Sequence, residues 1–169
     1  MATGAELLTT AAAAILGTIV GPYLSSGRER RAARVAVIEA MGNVDTLRWA
    51  FAGDYEAFKR AVLGLETAGL MAATSRPALD RYVYAATVAR RVSQVHLEED
   101  YPEYAGSIPS ELGDVVRDAG ALLTDHSWHP VRARLAHPRR DRRLHMRLDA
   151  VKAELAASGR VTEYQWRVG

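Results

Sequence analysis

From residue 28 onward, apolar side chains return at steps of three and four, while no Asn-Gly or Asp-Gly turn and no sustained two-residue alternation interrupts them before the last ten residues. That period belongs to amphipathic helices, so the chain reads as all-α. Of its 169 residues 30 are Ala, which leaves few large side chains to fill a core and requires helices that approach one another closely. Length allows one ordinary domain.

The first 27 residues differ from the rest. Leu7 to Gly27 contains no charge over 21 residues, which as a helix rising about 1.5 Å per residue matches one crossing of a roughly 30 Å hydrocarbon core. A single N-terminal transmembrane helix is the expectation. Thr9, Thr10, Thr18, Gly17, Gly21 and Pro22 weaken that span, and the alternative is a soluble helix packed in the core. Glu6 alone precedes the run, whereas Arg28, Arg30, Arg31 and Arg34 follow it at once. A secretory leader would need a basic start, so retention is favoured over cleavage. The positive-inside bias then puts residues 28–169 in the cytoplasm. Ala13, Gly17 and Gly21 form a small-residue row at four-residue spacing that would let two such helices pack and make a homo-oligomer.

Residues 28–159 read as a bundle of four to five helices, and residues 160–169 as a tail. A first helix, Arg28 to Phe51, carries Ile38, Met41, Val44, Leu47 and Phe51 on one stripe, and Asp54 caps a second helix. The second runs Tyr55, Phe58, Val62, Leu65, Gly69, Ala72, a seam in which Gly69 and Ala72 permit close contact. A third opens at Ser75-Arg76-Pro77 and repeats the rhythm through Leu79, Tyr82, Ala86, Ala89, Ser93 and His96, with Val88, Val92 and Val95 adding a second apolar face. Two apolar faces make it central. The acidic stretch Glu98 to Glu103 breaks the pattern, after which Leu112, Val115, Ala119, Leu122 and His126 define a fourth helix expected to lie at the periphery. Beyond a short helical piece after Pro130 and a boundary at His137-Pro138, the last helix carries Leu144, Leu148, Val151 and Leu155 and stops at Gly159. In the tail, Tyr164, Trp166 and Val168 alternate with Glu163, Gln165 and Arg167.

Chemistry is harder to find. Cysteine is absent, which removes thiolate metal sites and thiol nucleophiles, and no Glu-x-x-His pair, nucleophile elbow, phosphate loop or His-Glu-x-x-His occurs. The sequence implies no enzyme, no cofactor and no metal. His126 and His129 stand three apart, a spacing that on a helix puts both rings on one side, but no third ligand is assignable.

One anomaly remains, between His126 and Arg147, where seven of the 20 Arg and four of the five His accompany a single acid, Asp141. With the last helix facing the core through its leucines, Arg140, Arg143 and Arg147 fall along one flank, with Arg132, Arg134, Arg139 and Arg142 near it. A charge run of this kind is commonly a solvated face, and only 2 Lys against 20 Arg, with the Ala excess, points to the codon usage of a high-GC bacterium. The functional reading is an anion- or partner-binding surface formed by Arg139, Arg140, Arg142, Arg143 and Arg147. For a chain held at the membrane the natural counter-surface is anionic lipid, and the neighbours to expect are membrane lipids and a protein partner. The expected function is therefore a non-enzymatic, membrane-anchored interaction or scaffold protein at the cytoplasmic face of a bacterial inner membrane. The alternative is a nucleic-acid-binding helical protein using residues 132–147, although no helix-turn-helix, finger or stacking-aromatic motif accompanies the arginines.

Overall fold

The computed structural model describes residues 27–98, 106–136 and 138–157, and these contain α-helices, one 3-10 turn and no strand. The all-α expectation holds there. Among the described residues no helix is long and apolar enough to cross a membrane. The proposed span, its packing row Ala13, Gly17 and Gly21, the acidic loop past Glu98 and the tail from 160 lie outside the described residues, as do the Leu155 side chain and the stop at Gly159.

Helix α1 covers 27–47 and is followed by the 3-10 turn Ala50–Ala52, then by α2 (Tyr55–Met71), α3 (Arg76–Glu98), α4 (Ser110–Trp128), α5 (Pro130–Ala136) and α6 (Pro138–Ala157). Local chemistry sets several of these limits. The Asp54 carboxylate accepts from the Ala57 amide at 2.6 Å and caps α2 as expected. At its far end Ala73 takes a left-handed φ of 50° where glycine is usual, and the Thr74 amide closes back on the Gly69 carbonyl at 2.9 Å. Pro130 and Pro138 each occupy the first position of a helix, where a missing amide proton costs nothing.

The α2 seam is as read: Phe58, Val62, Leu65 and Gly69 are buried, and a Cβ at Gly69 would stand 2.9 Å from Leu79 Cδ2. Glycine there lets α2 meet α3 directly. Leu79, Tyr82, Ala86, Ala89, Ser93 and His96 of α3 are all buried together with Val88 and Val92, and this helix is the central one. Two expectations need correction. Phe51 does not end a stripe on α1, because that helix stops at 47 and the following 3-10 turn leaves the ring 68% exposed; Val37 and Val44 are the fully buried α1 residues. Nor is α4 peripheral. Val116, Gly120 and Leu123 are buried beside the expected stripe, and α4 packs on α3, α5 and α6. That breadth makes it a second hub.

The junction between α1 and α2 is held from α3. Arg90, only 3% exposed, donates to the Leu47 and Trp49 carbonyls at 3.3 and 2.9 Å through Nη1 and to the Gly53 carbonyl at 2.8 Å through Nη2. One turn on, Ser93 Oγ accepts from the Ala50 amide at 2.9 Å and donates to the Gly106 carbonyl at 2.6 Å. His96 Nδ1 lies 2.9 Å from the Ser107 carbonyl and must donate to it, since a carbonyl only accepts. These polar side chains satisfy backbone groups that no helix ladder can reach.

Tyr82, buried at the centre, donates to the Met41 carbonyl at 3.1 Å, and burial, reinforced by Asp45 and opposed by Arg48, raises its phenol well above the usual value. As pH climbs past about 10 the unfolded chain loses the phenolic proton while the native chain keeps it. The unfolded state then binds fewer protons, so stability falls with rising pH at up to about 1.4 kcal/mol per unit. Denaturant midpoints measured from pH 8 to 11 should show this decline, and Tyr82→Phe should flatten it. An equally steep decline in the variant would assign it to other groups.

Candidate functional site: the arginine face of the last helix

Helix α6 turns Leu144, Leu148 and Val151 into the core, which leaves its arginines no inward direction. Arg139, Arg140, Arg142 and Arg143 are exposed and Arg147 is half-buried. Ion pairs fix where this face points. Arg147 donates to Asp118 Oδ2 at 2.6 Å, and Arg140 Nη1 stands 3.6 Å from Asp125 Oδ2. Both acids belong to α4, seven residues apart, as are their two arginines in reversed order; α4 and α6 therefore run antiparallel with a register set at two points.

A third contact pins the start of α6, where Asp141 pairs with Arg81 of α3. Burial lowers the Arg81 pKa from the ordinary arginine value, but a guanidinium remains charged at any physiological pH. Asp141 is thus spent on anchoring the helix. The lone acid in the arginine run was visible in the sequence, while its partner 60 positions away was not. Among the described residues the counter-charges that meet this face are Asp118 and Asp125 of α4.

Between α4 and α6 lies a cleft of about 450 Å³ lined by Arg139, Arg140, Arg143 and Arg147 with Asp118, over the side chains of Leu122 and Leu144. Four of the five expected arginines meet there. Arg142 does not line the cleft, and its guanidinium faces elsewhere on the helix. Arg139, Arg142 and Arg143 make no ion pair among the described residues. The arrangement can attract anions electrostatically and bind them through guanidinium forks.

The two histidines separate: His126 is buried on α4, whereas His129 ends that helix with φ −130° and is exposed. Their rings do not share one side. Among the described residues no group of three or more His, Cys, Asp or Glu stands close enough to hold a metal ion. A feature that helical periodicity alone could not show is a second cleft, about 480 Å³, between α2 and α3, walled by Tyr55, Leu63, Val83 and Tyr84. Arg91 stacks over the Tyr55 ring at 4.0 Å beside it.

Comparison of the chain with protein-family models, with curated proteins and with solved structures finds no match.

Proposed function

We propose that the protein is a non-catalytic interaction protein that lays the arginine face of α6 against an anionic surface, with the inner leaflet of a bacterial membrane as that surface and the uncharged run Leu7 to Gly27 as its tether. A protein partner would then be recruited to the membrane face. One observation carries the reading: Arg139, Arg142 and Arg143 are exposed without an acid partner among the described residues, while Arg140 and Arg147 on the same helix are tied to α4. Arg140 and Arg147, already tied, surrender little further side-chain freedom on meeting a counter-surface, and the three exposed arginines bring the uncompensated charge.

Each basic residue near an anionic leaflet contributes about 1 kcal/mol, so three unpaired arginines correspond to about a hundredfold in affinity. The full chain should bind vesicles of phosphatidylglycerol and phosphatidylcholine more tightly than vesicles of phosphatidylcholine alone. That increment should shrink between about 50 and 200 mM salt as screening shortens. Changing Arg139, Arg140, Arg142, Arg143 and Arg147 together to Ser should abolish it. A short DNA duplex offered in parallel discriminates the alternative. Duplex affinity that falls steeply with salt and collapses in the variant, with no anionic-vesicle increment, would replace this reading by nucleic-acid binding. No increment and no duplex binding would reduce the arginines to a solvated face.

A further inference from the structure

The antiparallel register of α4 and α6 pairs Asp118 with Arg147 and Asp125 with Arg140, so that the position halfway between, Arg143, stands opposite Leu122 rather than opposite an acid. A cation is left at the centre of the cleft. Arg139, one turn before Arg143 on the same ridge, lines it too, and Arg140 is held by Asp125 only at 3.6 Å. The walls therefore carry four guanidinium groups against one carboxylate, Asp118, which Arg147 already engages. Leu122 and Leu144 supply the apolar part of its lining.

Resting on the reading that this face meets anions, we infer that the α4–α6 cleft is a discrete site for a phosphate monoester, with Arg143 as its centre and Arg139 and Arg140 as its sides. Stoichiometry selects that chemistry. A monoester presents three terminal oxygens and about −1.5 to −2 charges at neutral pH, matching three guanidinium forks that are unengaged or loosely engaged. A phosphodiester offers two free oxygens and one charge, and a carboxylate the same, so either would leave a fork unused. The phosphomonoester can belong to a lipid headgroup or to a soluble molecule, since the chemistry at the cleft is shared.

The test uses the full chain in a non-ionic detergent, titrated by calorimetry with methyl phosphate and with dimethyl phosphate at equal ionic strength and pH 7.5. Methyl phosphate should bind at least tenfold more tightly. Arg143→Ser should erase that preference, while Arg142→Ser, which removes the same charge from the same helix outside the cleft, should keep it. Both positions are exposed, and circular dichroism verifies that each variant retains its helices. Equal binding of the two esters, or equal losses in the two variants, would overturn the site and leave diffuse attraction to anionic surfaces standing. If the salt-sensitive vesicle increment is missing as well, the broader reading falls with it. The source of the phosphate is read from vesicles of phosphatidic acid and of phosphatidylglycerol at matched surface charge. A phosphatidic acid preference that Arg143→Ser removes assigns the site to a headgroup, and methyl phosphate binding without that preference assigns it to a soluble phosphomonoester.

Discussion

Arg90→Leu is expected to cost about 3–5 kcal/mol of unfolding free energy, the largest loss from any single polar side chain among the described residues. The guanidinium receives its partners from three separate pieces of chain: the end of α1 at Leu47, the turn at Trp49, and Gly53 ahead of α2. Leucine leaves those carbonyls without a donor at a site that excludes water, and each unpaired group costs about 1–3 kcal/mol. Arg90→Lys should recover only a fraction, because one ammonium cannot span the geometry that Nη1 and Nη2 reach together. Urea titration followed by circular dichroism measures both. The same variants should become sensitive to limited proteolysis between residues 48 and 53. A loss below 1 kcal/mol with unchanged proteolysis would show that the junction holds without its arginine.

The second large effect is expected at Leu123→Ala, at about 3 kcal/mol. Leu123 has no exposed surface and sits on α4, which α3, α5 and α6 all use as a packing surface. Truncating a fully buried leucine removes its transfer free energy and leaves a cavity, together about 2–5 kcal/mol. Leu63→Ala serves as the comparison, since that side chain is 61% exposed on α2 and should cost less than about 0.5 kcal/mol. Similar small losses at both positions would mean that α4 rides on the outside of the bundle, as its charge pattern alone suggests.

What periodicity can show is which side of a helix is apolar; it does not count the neighbours waiting there. The seams of α2 and α3 were legible because their inward residues recur in unbroken three-and-four steps, from Tyr55 to Ala72 and from Leu79 through the polar Ser93 and His96. On α4 the charged residues Glu111, Asp114, Arg117 and Asp118 suggested a solvated outer half, and two of the acids there have other work: Asp114 pairs with Arg117 on its own helix, and Asp118 reaches across to α6. Phe51 misled for want of a signal, since neither proline nor glycine marks the end of α1 at 47. The role of Arg90 was hidden because its partners are backbone carbonyls 37 to 43 residues earlier in the chain. For the arginine face, the residues were legible and the cleft was not. Positions of Arg139, Arg140, Arg143 and Arg147 follow from a helical wheel, but the gap over Leu122 depends on how α4 is set against α6.

The alanines of α3 carry a thermal consequence. Ala78, Ala85, Ala86 and Ala89 are buried at the centre, where many bundles place leucine, and an alanine surrenders no rotamer freedom on burial. Each such methyl also exposes little apolar surface when the chain unfolds, and the heat-capacity increment of unfolding scales with that surface. Four methyl groups on α3, set among Leu79, Tyr82, Val88 and Val92, therefore flatten the free energy against temperature relative to a bundle with leucine at those positions. The protein's stability changes more slowly on either side of the optimum, and cooling erodes it less than it would a leucine-filled core of the same length.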